Sequence, residues 1–195
     1  MPRPDRDLHR APAWREPPQD EAPTILAAVE ILASTPSVAL ALAGGRVYSN
    51  GLELQLEMHG RRRSEDDQEW ERIRDVFFGR PAWVQTDVER IQALTIAVSV
   101  DDGDPVIADP LAHARGPIDT EPSGWSVALR PLGGNGNPLV MRSTLSLWLW
   151  RLPPANYLDI SIRWPAFGIA KSTGRVDISG VAGLYRNSQR LWSND

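Results

Sequence analysis

Two groups of residues in this sequence have the types and spacing to do chemistry. The first is Glu53, Gln55 and Glu57, which alternate with Leu52, Leu54, Leu56 and Met58. Side chains alternate across a strand, so this spacing puts two carboxylates and an amide on one face and four apolar groups on the other. Paired carboxylates hydrolyse glycosides when one acts as nucleophile and the other as acid, with carboxyl groups about 5 Å apart in retaining enzymes. Strand positions four residues apart have Cα atoms about 13 Å apart. Glu53 and Glu57 therefore reach that geometry only if their side chains converge in a shared cleft, and a raised pKa on one of them would mark the acid.

The second group is Trp148 and Trp150 with Tyr157, Asp159, Ser161 and Arg163. Leu145, Leu147 and Leu149 alternate with Ser146, Trp148 and Trp150. After Pro153-Pro154-Ala155-Asn156, the residues Leu158, Ile160, Ile162 and Trp164 alternate with Tyr157, Asp159, Ser161 and Arg163. Alternation on both sides of a short turn cluster predicts a β-hairpin over 145–164 with one apolar face. A regular register puts Trp150 opposite Asp159 and Trp148 opposite Ser161. The outer face then carries two indoles edged by a phenol, a carboxylate, a hydroxyl and a guanidinium. Such a platform suits a protein partner, for which Trp, Tyr and Arg are common anchors. It also suits a carbohydrate, whose C–H faces stack on indoles. A helix laid across the indoles would instead make them core.

The alternation of Glu53, Gln55 and Glu57 resembles the catalytic strand of jelly-roll glycoside hydrolases, in which two glutamates flank an aspartate. The resemblance implies Glu53 and Glu57 as the working carboxylates of a hydrolase. Gln55 stands where that family has its central acid.

Other chemistry-bearing residues have simpler uses. Asp101, Asp102 and Asp104 offer oxygens to a hard cation such as calcium, but with Gly103 they spell a turn first. His9, His59 and His113 are far apart in sequence, which argues against a three-histidine metal site. Gly133 to Gly136 lacks the lysine and helix of a phosphate loop. Ser123 and Ser126 lack the flanking glycines of a nucleophile elbow. Five acids follow Arg61-Arg62-Arg63 within eight residues, so the triplet reads as locally compensated charge. No catalytic residues, cofactor or metal are assigned.

The elements that must hold these groups are mostly strands. Ile25 to Ser34 and Val38 to Tyr48 read as extended, with a bend or bulge at Gly44-Gly45 and a hairpin at Asn50-Gly51. Leu52 to Met58, Leu94 to Val100 and Trp125 to Leu129 are further alternating strands. The Asp101–Asp104 turn leads to a return over Pro105–Ala108, and Pro110 to Gly124 reads as a long exposed loop. Ser64 caps a predicted short helix whose Trp70, Ile73 and Phe77 form one stripe. Gly133 to Pro138 reads as a turn. Ile178, Val181, Ala182, Tyr185, Gln189 and Trp192 fit one face of a C-terminal helix capped by Asp177. Short strands joined by Gly, Pro, Asn and Asp turns predict an all-β chain, an antiparallel β-sandwich or open barrel with one or two peripheral helices.

Composition sets the outer limits. The chain has 195 residues, a formal net charge of -4 and no cysteine, which disfavours a basic nucleic-acid surface and excludes disulfides and thiolate metal sites. Lys171 is the only lysine, as a GC-rich genome would produce. No apolar run is long enough to span a bilayer, and the start of the chain does not read as a signal peptide, so cytoplasmic residence is expected. Residues 1–23 are rich in proline and charge and read as a disordered arm that could dock through Trp14. Residues 24–192 read as one β-sandwich-like domain, with 193–195 as a tail. The segments Leu147-Trp148-Leu149-Trp150-Arg151-Leu152-Pro153-Pro154 and Arg163-Trp164-Pro165-Ala166-Phe167-Gly168-Ile169, with Leu191-Trp192 near the end, resemble uncharacterised β-rich proteins of GC-rich bacteria. That resemblance implies a recurrent small β domain and nothing catalytic. The reading that follows is a non-catalytic binding domain for a protein partner. Its alternatives are a carbohydrate-binding module using Trp148 and Trp150 and a glycosidase-like hydrolase using Glu53 and Glu57.

Overall fold

The computed structural model describes residues 11–63, 67–78, 93–108, 121–151 and 153–192. Twelve strands are described: β1 (Glu21–Ala22), β2 (Thr24–Leu26), β3 (Glu30–Ser34), β4 (Val38–Tyr48), β5 (Gly51–Arg61), β6 (Thr95–Val100), β7 (Val106–Ala108), β8 (Ser126–Gly136), β9 (Val140–Trp150), β10 (Tyr157–Trp164), β11 (Ile169–Asp177) and β12 (Gln189–Arg190). Two helices accompany them, α1 (Asp67–Phe78) and the single turn α2 (Val181–Leu184).

The strands form three antiparallel sheets among the described residues. The large sheet runs β2-β4-β5-β9-β8, with β3 also paired to β4, and the smaller one runs β11-β10-β6-β7. A two-stranded ribbon joins β1 to β12. This is the all-β sandwich expected, without a closed barrel.

Period-two alternation explains the main core. Leu52, Leu54, Leu56 and Met58 of β5 are buried, as are Leu145, Leu147 and Leu149 beside them on β9. Leu158, Ile160, Ile162 and Trp164 of β10 belong to the same cluster, from the opposing sheet. Helix α1 closes one end: Trp70, Ile73 and Phe77 are buried, and Phe77 stacks on Trp164 with ring centroids 6.4 Å apart. A Cβ on Gly60 would lie 2.7 Å from Ile73 Cγ2, so a glycine there lets the helix come down on β5. The expected cap, Ser64, lies outside the described residues.

The 145–164 hairpin is not formed. β9 pairs with β5 and β8, whereas β10 pairs with β6 and β11. Arg151, with φ of 51°, and the prolines that follow carry the chain from one sheet to the other. Alternation reports that each strand faces a core; it does not report which strand lies beside it.

Other boundaries also move. The hairpin between β4 and β5 closes Tyr48 against Gly51, so its turn residues are Ser49 and Asn50, one position earlier than expected. Gly44, with φ of 138°, sits at the expected bulge. Gly133–Gly136 is strand, continuing β8 past a bulge at Leu132, and the turn falls at Asn137–Leu139, where the Asn137 Oδ1 accepts the N–H groups of Leu139 and Val140. The expected C-terminal helix is reduced to α2 and a 3-10 turn over Tyr185–Asn187, followed by β12. Gly180 and Gly183 weaken helix propagation there, and Trp192 is exposed.

Residues 11–22, expected to be a disordered arm, lie as a strap across the outer face of the large sheet. The arm's composition is poor in apolar groups, but Trp14 finds an aromatic seat and Glu21–Ala22 pairs with β12. Residues 1–10 and 193–195 lie outside the described residues.

Candidate functional site

The outer face of the large sheet gathers most of the chemistry. Its rows follow from register: Tyr48, Gly51, Trp150 and Ser126; then Arg46, Glu53, Trp148 and Ala128; then Gly44, Gln55, Ser146 and Arg130. A further row brings Ala41, Glu57 and Thr144 together, and the next brings His59 beside Arg142.

The residues singled out on the expected hairpin are divided between two surfaces. Trp148 lies opposite Glu53 and Ala128, and Trp150 opposite Gly51 and Ser126. Tyr157, Asp159, Ser161 and Arg163 stand on the outer face of the other sheet, where Asp159 pairs with Ser99 and Arg175, and Ser161 with Ala97 and Thr173. No common platform exists, because β9 and β10 are in opposing sheets.

Trp148 and Trp150 are also buried, at 1% and 3% exposure. They form a second apolar cluster with Tyr48 and Ala128, covered by Trp14. Trp14 meets Trp150 edge to face at 6.1 Å, and Tyr48 meets Trp148 at 5.8 Å in the same manner. The Trp148 Nε1–H donates to the Ala13 carbonyl oxygen at 2.9 Å. The cover is therefore the strap rather than a helix, and the indoles present no open face for a sugar.

Beside this cluster lies a buried carboxylate. Glu53 is 5% exposed; its Oε1 accepts from Ser146 Oγ at 2.5 Å, and its Oε2 lies 3.4 Å from Arg46 Nη1. Arg130 approaches the same carboxylate at 3.7 Å while holding Glu16 of the strap at 2.6 Å. Burial first, and then the charge of Glu53, raise the pKa of Tyr48. Glu57 is tied differently, to Arg142 and, at 3.2 Å, to His59 Nε2. Burial works to raise its pKa, but the Arg142 hydrogen bond and charge, joined by His59, prevail and hold it below the ordinary value.

An open trough of about 370 Å³ runs over part of this face. Its floor includes Glu53, Gln55 and Ser146, and its banks include Ile25, Val29 and Leu132. Glu57 is not among its lining residues. Sequence reasoning missed the banks because Val29 and Leu132 sit in a strand break and a bulge, outside any alternating run. Exposed aliphatics at irregular positions were the available signal.

Two of the three aspartates of the β6–β7 turn are spent internally. Asp101 accepts the N–H groups of Asn156 and Tyr157, and Asp102 takes the Tyr157 hydroxyl and, at 3.1 Å, Arg175. Arg175 also holds Asp159 through two hydrogen bonds of 2.7 Å and lies 3.8 Å from the centre of the Tyr157 ring. This cluster ties the turn to β10 and β11. Among the described residues, no group of three or more His, Asp or Glu side chains is placed to hold a metal ion, and no helix is long and apolar enough to cross a membrane. His9 and His113 lie outside the described residues.

No family model matches the chain, and no curated protein matches it. Among solved structures it is similar to a conserved domain protein from Bacillus anthracis, at 10% identity and a TM-score of 0.33. The similarity covers 89% of this chain and 50% of that one, so the chain spans about half its length.

Proposed function

We propose that the chain is a non-catalytic binding domain that takes a segment of a protein partner in the trough on the outer face of its large sheet. The observation that carries this reading is the pairing of exposed aliphatic banks with a polar floor. Ile25, Val29 and Leu132 are 66%, 82% and 48% exposed, and they flank Glu53, Gln55 and Ser146. Apolar walls give affinity from burial, and the half-buried Gln55 is the floor group left to orient a bound segment, since Glu53 and Ser146 are buried against each other. The state of the carboxylates supports a binding rather than a hydrolytic role. Glu53 spends its oxygens on Ser146 and two arginines, and Glu57 is held ionised beneath Arg142 and His59. A glycosidic acid needs the opposite shift.

The test is a pair of substitutions, Val29→Asp and Leu132→Asp, in the full chain purified from its native cells. Both positions are exposed, so thermal stability should stay near wild type. A stoichiometric partner that co-purifies with the wild-type chain should be lost from both variants. Retention of the partner by both would remove the trough from the account.

A further inference from the structure

The strap over the tryptophan cluster has the character of a bound ligand more than that of a core element. None of residues 11–22 is fully buried, whereas Trp148 and Trp150 beneath them are. At its C-terminal end the strap is held by the β1–β12 ribbon and by the Leu191 N–H, which donates to the Asp20 carbonyl at 2.8 Å; further back it is held by side-chain contacts. Trp148 donates to the Ala13 carbonyl, Trp14 meets Trp150, Glu16 pairs with Arg130, and the Glu21 carboxylate accepts the Ser49 N–H and hydroxyl. Open surface clefts of about 480 Å³ and 300 Å³ flank it, and Ala13 and Asn50 line both. Asn50 Oδ1 and Ser126 Oγ, which lie in the same corner of the sheet, are buried without a hydrogen-bond partner. Nearly every buried polar atom in a native structure has one.

The contacts also specify what is recognised. Pro12 starts a turn, closed where the Arg15 N–H donates to the Pro12 carbonyl at 2.9 Å. Pro12 precedes Ala13, whose carbonyl takes the indole N–H, and the next residue is the tryptophan that seats on Trp150. An acid two positions further on meets Arg130. The turn thus offers one backbone acceptor and one aromatic ring to the two indoles of the sheet.

We propose that the Trp148–Trp150 face is a peptide-binding site for a proline-flanked tryptophan segment followed by an acid, occupied here by residues 11–22 of the same chain, and that a partner segment of this type takes the strap's place. The site is separate from the trough, so either can fail alone. A ligand tethered in the same chain acts at an effective concentration in the millimolar range for a short linker. A free peptide therefore competes poorly with an intact strap and well with a weakened one.

The probe is a synthetic peptide of residues 11–22, titrated into isotope-labelled full-length chain while the indole N–H signals of Trp148 and Trp150 are followed. The Trp14→Ala chain should stay folded and show saturable shifts of both signals. The wild-type chain should need roughly ten-fold more peptide or greater. A peptide carrying the Trp14→Ala change should shift neither. The Glu16→Arg chain, which sets two guanidinium groups against each other without touching the cluster, should bind the peptide more tightly than wild type. Absence of saturable shifts in both folded variants would overturn the proposal. Global unfolding of the Trp14→Ala chain would overturn it too, because a replaceable ligand can be vacated without loss of the fold.

Discussion

The indole N–H of Trp148 points out of the large sheet and donates to the carbonyl oxygen of Ala13, 135 positions earlier in the chain. Under the strap, β9 is buried on both faces from Leu145 to Trp150. Its leucines face the sandwich interior and its tryptophans face the strap. The two apolar layers differ in kind, and their energetics should differ accordingly.

Trp164→Ala removes a ring that is 1% exposed and packed between Phe77 and Phe167. It should cost about 3–5 kcal/mol, as large-to-small changes of buried aromatics do. Trp14→Ala acts on a half-buried ring outside the main core. It should cost below about 2 kcal/mol, within the range of ordinary point mutations. Urea unfolding of the two variants, compared with wild type, measures the contrast.

Glycine tolerance maps the close approaches. A Cβ on Gly51 would enter the Trp148 ring and come within 2.5 Å of the Leu149 carbonyl oxygen. Gly51→Ala should destabilise by about 1–3 kcal/mol through overpacking. Gly180 has nothing within 4 Å of such a position and a negative φ, so Gly180→Ala should stay within about 0.5 kcal/mol of wild type. Thermal midpoints of both variants decide it.

The acid limb of stability should depend on Glu57 and Asp159. Arg142 lowers the pKa of Glu57 against the opposing effect of burial, and Arg175 lowers that of Asp159. A carboxyl depressed in the folded state binds fewer protons there than in the unfolded chain. Its contribution is complete above the ordinary carboxylate value of about 4 and is lost as pH falls through the folded value. Glu57→Gln should therefore cost roughly 1.5–3 kcal/mol near neutral pH, the scale of a hydrogen bond to a charged group. The gap between variant and wild type should narrow as pH drops below about 4. Denaturant midpoints measured across pH check both the sign and the window.

How much of this was legible in the sequence depends on the kind of information each element carries. The alternation of Leu52, Leu54, Leu56 and Met58 fixed a strand and its buried face, and the stripe of Trp70, Ile73 and Phe77 fixed a helix face. Both are local patterns. The partnership of β9 is not local, since Leu147 sits between Leu54 and Leu129 rather than beside any residue of β10. β11 escaped notice because Ala170, Lys171, Thr173 and Arg175 face outward and Gly174 faces in, leaving little apolar rhythm to read. Gly174 is there because Leu32 lies within 2.6 Å of where a Cβ would be. The strap was hidden by its own composition. The clue was on the sheet: a strand with leucines on one face and tryptophans on the other needs a cover on both.

The claim that the outer face of the large sheet is the binding surface is tested most directly by photo-crosslinking the full chain in its native cells. A photoreactive side chain at position 132 or 29 should capture a partner protein, and one at position 161 or 173, on the outer face of the opposing sheet, should not. Capture from 161 and 173 with none from 132 or 29 would contradict the account.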